Sequence, residues 1–234
     1  LRAFYKQIYR MPTFNDLYYT DMGNSALKPE SATQYNVGFT YAVAPKTGFL
    51  SGFHTGVDAY YNLVKDKIVA YPKGQQFRWT MLNLGKVDIR GVDVQATATF
   101  RLPLEIGLMT KVQYTYQEAI DITNPSDNYY CDQIPYIPWH SGSAILGLTY
   151  KDWGLNYSFV YVGERYNQQE NIEYNYVQPW YTSDISASWR FSLPRNMSLR
   201  ITAEVNNLLN QQYEVIQNYP MPGRNYKIIL KFDI

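Results

Sequence analysis

Apolar residues recur at every second position along most of this chain. That is the period of an extended strand with one apolar and one polar face. The clearest run is the last: Tyr226, Ile228, Leu230, Phe232 and Ile234 fall on one side, and Lys227, Ile229, Lys231 and Asp233 on the other. An amphipathic strand with so aromatic a face needs pairing along both edges, and a closed barrel supplies it. The chain reads as organised around this closing strand.

The same alternation predicts strands over Leu1–Tyr9, Gln34–Val43, Phe49–Val64, Phe77–Arg101 and Leu104–Ala119. Further strands are predicted over Trp139–Tyr150, Trp153–Val162, a stretch ending at Phe191, Ser198–Asn206 and the closing run. Within the fourth, Val87 and Ile89 are odd-numbered, whereas Val92, Val94, Ala96 and Ala98 are even-numbered. A one-residue slip exchanges faces, so the change of parity predicts a bulge at Gly91.

Long polar stretches follow every odd strand: Arg10–Glu30, Lys65–Gln76, Asp121–Pro138, Gly163–Tyr176 and Leu208–Gly223. Turns of a few residues follow the even ones. All long connections therefore lie at one end of the sheet. The expected fold class is all-β: an antiparallel up-and-down transmembrane β-barrel segment of about ten strands, with short periplasmic turns and long extracellular loops. Aromatic residues gather where strands meet connections, among them Tyr41, Tyr61, Phe100, Tyr116, Tyr150, Trp153 and Phe191. Two such belts suit the lipid–water interfaces. A soluble antiparallel barrel would alternate too, but its core would be rich in Tyr, and each buried hydroxyl would need a partner.

Composition sharpens this picture. Aromatic residues make up 17% of the 234 residues, with 24 Tyr, and charged residues only 18%. No apolar run reaches the roughly 18 residues of a membrane helix, although a membrane barrel needs none. Net charge is +1 and no basic run occurs, so no nucleic-acid partner is expected. One cysteine, Cys131, excludes an intrachain disulfide. The opening residues lack the basic and apolar regions of a signal peptide. Sequons at Asn156 and Asn196 fall in or beside predicted strands and read as chance occurrences. No Gly-rich phosphate loop, HExxH or GxSxG pattern is present, so no enzyme is expected. His54 and His140 have no second ligand at metal spacing, so neither a metal nor a cofactor is expected.

Three stretches resemble the C-terminal part of TonB-dependent outer-membrane receptors. They are Tyr9-Arg10-Met11-Pro12-Thr13-Phe14-Asn15-Asp16-Leu17-Tyr18, Gly23-Asn24-Ser25-Ala26-Leu27-Lys28-Pro29-Glu30, and Asn207-Leu208-Leu209-Asn210-Gln211-Gln212-Tyr213-Glu214 with Pro220-Met221-Pro222-Gly223-Arg224. The order and distances of the three agree with the family across essentially the whole chain. The family usually ends on an aromatic residue, whereas this chain ends Phe232-Asp233-Ile234.

The resemblance implies a bacterial outer-membrane location and contact with outer-membrane lipid. It implies a barrel of about 22 strands with a plugged lumen, of which these would be the C-terminal ones. It also implies an energy-transducing inner-membrane complex, engaged through a plug absent from this stretch, and a small-molecule nutrient ligand. A corrinoid or iron–siderophore is expected first, and a glycan second. Haem is disfavoured, because no His lies in Arg10–Glu30 to ligate its iron. A self-standing small barrel, acting as a passive pore or adhesin, is the alternative.

Ligand capture in such a receptor falls to the outer loops. Candidate stacking residues there are Tyr18, Tyr19, Trp79, Tyr129 and Tyr130, followed by Tyr166, Tyr174, Tyr176 and Tyr213. Asn167 and Gln169 are candidate hydrogen-bonding residues. Packing of the loops upon one another is the competing role for each of them.

Overall fold

The computed structural model describes residues 1–73, 78–195 and 197–233. In chain order the strands are β1 (Arg2–Arg10), β2 (Glu30–Val43), β3 (Leu50–Lys73), β4 (Arg78–Arg101), β5 (Gly107–Asp121), β6 (His140–Tyr150) and β7 (Trp153–Val162). There follow β8 (Arg165–Tyr166), β9 (Tyr176–Val177), β10 (Trp180–Ser192), β11 (Ser198–Asn206), β12 (Glu214–Ile216), β13 (Tyr219–Pro220) and β14 (Asn225–Asp233). One short helix, α1 (Phe14–Tyr18), stands in the first long connection behind a Thr13–Asp16 capping box.

Ten strands form one antiparallel sheet, ordered β1-β2-β3-β4-β5-β6-β7-β10-β11-β14. Every neighbour in it is the next long strand of the chain. The remaining four strands pair two by two inside connections. Among the described residues β1 and β14 do not pair with each other, so these ten strands form an open sheet.

Register sorts side chains into two faces, because directly paired residues point the same way. One face carries Val37, Phe39, Val57, Val112, Leu146, Leu155, Ile228 and Leu230, each at least 36% exposed. A contiguous exposed apolar band of this extent marks a surface that meets something other than water. The other face carries Gln95 opposite Gln113, Thr97 opposite Lys111, and Glu204 opposite both Ser186 and Lys227. Rings edge the apolar band at two levels. Toward the tight turns lie Tyr41 with Phe53, Phe49 with Phe100, and Trp153 stacked at 4.6 Å on Trp189. Toward the long connections, Tyr5, Tyr35 and Tyr61 form a cross-strand row.

Two expectations are corrected. No bulge occurs at Gly91: the β3–β4 and β4–β5 ladders run through it without a shift. Val87 and Ile89 therefore share the polar face with Asp93. They are apolar because the connection after β5 folds over them, burying Val64, Leu84, Val87, Ile89, Ala119 and Ile134 together. The change of face comes earlier. Even-numbered Leu84 packs on the same cluster as odd-numbered Val87, and between these positions Asp66 has φ 51° and has no partner in the ladder. Gly91 is small for another reason. A Cβ there would meet the Tyr60 hydroxyl at 2.5 Å and the Tyr116 carbonyl.

The second correction is the loop expected at Lys65–Gln76. As far as Lys73 it is strand, pairing with Arg78–Lys86 at every position but Asp66. Its Lys-Asp-Lys start reads as loop, but Ile68 is 6% exposed and Val69 packs on the buried cluster. The predicted start at Phe77, the sequon residue Asn196 and the final Ile234 lie outside the described residues. Asn156 lies within β7.

Candidate ligand-facing loop cluster

The connections after β5, β7 and β11 converge with the β3–β4 hairpin at one end of the sheet. Gln133, 1% exposed, is the first fixed point. Its side-chain oxygen accepts from Ala119 N–H at 2.7 Å, and its amide donates to the Gln117 and Ile137 carbonyls. Its backbone meets the Asn171 side chain in the next connection. Asn171 N–H in turn donates to Asp132 Oδ2 at 2.8 Å.

Arg165 is the second fixed point. It is 2% exposed, and its guanidinium donates to the carbonyls of Gln178 (3.2 Å), Glu214 (2.7 Å) and Val215 (3.1 Å). A buried cation is tolerable only when its donors are taken up. Burial lowers the Arg165 pKa, while nearby Tyr136 opposes that shift. Burial pushes the Tyr136 hydroxyl up, against a hydrogen bond with the Gln217 backbone. Asn167 joins the two connections directly through Gln217.

Aromatic contacts follow the same lines. Trp79 lies 5.9 Å from Tyr136, and Tyr166 makes edge contacts with Trp139 and Tyr176. The Tyr71 hydroxyl donates to Gln168 at 2.6 Å. Trp79 is thus a strand residue packed into the cluster, not a loop residue. Tyr129 hydrogen-bonds Asp127, and burial is the first cause of its raised pKa. The Gln169 carbonyl accepts from Asn171. Tyr18, Tyr19, Tyr130 and Tyr174 remain exposed, Tyr174 at 81%. Tyr18 and Tyr19 sit apart, on the α1 connection that lies along β4 through Met22, Asn24 and Met81.

Tyr176 and Tyr213 come together at a cavity of about 390 Å³, with Gln178, Trp180, Gln212 and Gln217. Tyr213 lies 4.7 Å from Trp180, centroid to centroid, and its hydroxyl pKa is raised by burial and then by Asp184. The Trp180 indole N–H is buried with no hydrogen-bond partner among the described residues, as is Asn167 Oδ1. This niche offers flat rings for stacking and several amides for hydrogen bonding. Trp180, Tyr136, Gln133 and Arg165 were not among the sequence-predicted residues. Only the aromatic pair carried a signal there, by falling beside loops.

An apolar band around one face, a polar opposite face, tight turns at one end and a knitted rim at the other define a wall of a membrane-spanning barrel. The family model described as TonB dependent receptor-like, beta-barrel matches residues 1–208, and the chain belongs to that family. The family is one of receptors and transporters. The vitamin B12 transporter BtuB of Photobacterium profundum is 26% identical over 220 residues, covering 93% of this chain and 32% of that protein. The chain thus spans about a third of the length of the curated relatives it matches. Among solved structures, copper transporter OprC superposes with a TM-score of 0.68 at 17% identity, covering 96% of this chain and 35% of that one. The ferric-catecholate import receptor Fiu of E. coli gives 0.67 at 18% identity, covering 97% and 32%.

Proposed function

We propose that this chain is the C-terminal portion, a single domain fragment, of the barrel of a bacterial outer-membrane receptor for energised nutrient uptake. The observation that carries this reading is the rim niche, where the Trp180 and Tyr213 rings meet at a tilt beside several amides at the end bearing the long connections. The ligand is a bulky small molecule, a corrinoid or iron–siderophore before a glycan. The BtuB relatives support the corrinoid, and Fiu is a ferric-catecholate import receptor. The chain binds and does not catalyse. Transport would draw on an energy-transducing inner-membrane complex acting through a plug. Unpaired β1 and β14 support a share in a larger barrel over a self-standing small one.

The test is calorimetric titration of the intact, membrane-extracted protein with cyanocobalamin, a ferric catecholate and a neutral oligosaccharide. Saturable binding of one of them, weakened at least tenfold by Trp180→Ala, is the expected result. Binding of none would overturn the reading. Sequencing upstream of Leu1 tests the plug.

A further inference from the structure

The two connections that wall the rim niche carry an uneven balance of charge. Residues 163–179 and 207–224 hold Glu164, Glu170, Glu173 and Glu214 against Arg165 and Arg224, with no Lys. Neither arginine presents its charge to the cavity. Arg165 is buried and gives its donors to the carbonyls of Gln178 on one wall and of Glu214 and Val215 on the other. Arg224 does not line the cavity.

Among the described residues, Glu214 is the one charged side chain that does line it. Its Oε2 accepts from Asn218 N–H at 2.7 Å, and the carboxylate makes no ion pair among the described residues. Two more carboxylates stand close behind. Glu164 accepts from the Tyr176 hydroxyl at 3.4 Å, and Asp184 adds to the upward shift that burial gives the Tyr213 hydroxyl. Low-dielectric walls concentrate the field of such groups into the cleft between them.

Three rings, Tyr176, Trp180 and Tyr213, share this lining. Trp180 and Tyr213 meet at 4.7 Å with 31° between their planes. The Trp180 indole N–H is turned out of reach of solvent, so the ring offers the cavity carbon surface and not a donor. An aromatic face attracts a cation through its quadrupole, most strongly for Trp and where water is excluded. A neutral sugar stacked here would leave the Glu214 charge unanswered, and an anion would meet that charge directly. A cation satisfies the rings and the carboxylate together.

We propose that the niche holds an alkylammonium group of the ligand, with the three rings against its carbons and Glu214 as its counter-ion. Arg165 is the positioning residue: it fixes both walls through their carbonyls and keeps its own charge off the cavity surface. This deepens the receptor reading above and rests on it. Among the nutrients named there, it favours one that bears an amine over a polyanionic ferric catecholate.

The experiment uses the full-length protein in mild detergent. The probes are choline and its neutral tert-butyl isostere, in which carbon replaces the nitrogen. Calorimetry reads affinity, and fluorine NMR of fluorotryptophan-labelled protein, with the Trp180 signal assigned by Trp180→Phe, reads location. Choline should shift the Trp180 signal and bind about tenfold more tightly than the isostere. Glu214→Gln keeps an acceptor for Asn218 N–H and should remove most of that preference. Trp180→Leu should weaken choline by about tenfold as well; should it fail to fold, Glu214→Gln decides alone. Glu173→Gln removes a carboxylate that does not line the cavity, and should leave choline binding unchanged. No shift at Trp180, equal binding of the isostere, an unaltered preference in Glu214→Gln, or an equal loss in Glu173→Gln would each overturn the proposal. Choline binding without binding of any nutrient would sink the nutrient reading and leave the ammonium site standing. Nutrient binding in a niche indifferent to charge would do the reverse.

Discussion

Gln133 and Asn171 hold each other reciprocally: Gln133 N–H donates to Asn171 Oδ1 at 2.9 Å, and Asn171 Nδ2 donates back to the Gln133 carbonyl at 3.0 Å. One side-chain amide thus satisfies both backbone groups of a buried residue in another connection. It does for two loops what a ladder pair does for two strands.

Asn171→Ala should therefore uncouple the connections after β5 and β7. It leaves a buried N–H and C=O without partners, at about 1–3 kcal/mol. Hydrogen exchange should quicken at Gln133 and Ile134 while β6 and β7 stay protected. Uniform protection after the substitution would mean that the loops are held by ring packing instead.

Gly91→Ala tests why a glycine stands in β4. The new Cβ would meet the Tyr60 hydroxyl at 2.5 Å and backbone on the other side, so Tyr60 must leave its place. Overpacking of this kind costs about 1–3 kcal/mol. Tyr60→Ala made together with Gly91→Ala should recover part of the loss. A bulge would give no such rescue, and urea unfolding of the refolded protein separates the two.

This glycine also shows what the chain made legible and what it did not. Period-two alternation depends on two unlike solvents either side of one sheet, and it holds wherever lipid faces water, as along Leu199–Val205. It fails where a loop supplies a second apolar environment on the polar side. Val87 and Ile89 look out of phase for that reason, and the parity change reads as a bulge. Beyond the bilayer the outer face meets water, so Lys65–Lys73 has no apolar stripe and reads as loop. The rim was half legible. Tyr166, Tyr176 and Tyr213 fall in loops by sequence and in one cluster by structure. Arg165 and Gln133 carry no local signal, because their partners are backbone carbonyls and amides far along the chain.

The rim should loosen at alkaline pH. Burial raises the Tyr136 hydroxyl pKa above its ordinary 10.0. The folded state therefore holds this proton more tightly than the unfolded one. Its stabilising contribution is complete below about pH 10, and is lost as pH rises through the folded value. Tyr213 shifts the same way. Protection at Tyr136 and Tyr166, taken as exchange relative to the base-catalysed intrinsic rate, should fall above about pH 10, and Tyr136→Phe should flatten that dependence only partly. A fully flat parent profile would show that neither hydroxyl is buried in solution.

The two faces can be tested on adjacent residues of β11. Ala203 lies between Ala187 and Ile228 on the apolar face; Thr202 lies between Ser188 and Ile229 on the polar one. Both have the same strand, the same pairing and nearly the same depth, so local propensity cannot distinguish them. Only the medium differs. An Arg on the lipid side near the midplane costs roughly 2–4 kcal/mol, whereas lumen positions tolerate charge. Ala203→Arg should lower the heat-modifiable, folded fraction in the outer membrane severely, and Thr202→Arg only slightly. The reverse order would place lipid on the face that carries Lys111, Glu204 and Lys227. Equal effects would mean that neither face meets lipid at this depth. Because each outcome separates by more than a factor of ten in the folded-to-unfolded ratio, a gel shift is sensitive enough to decide.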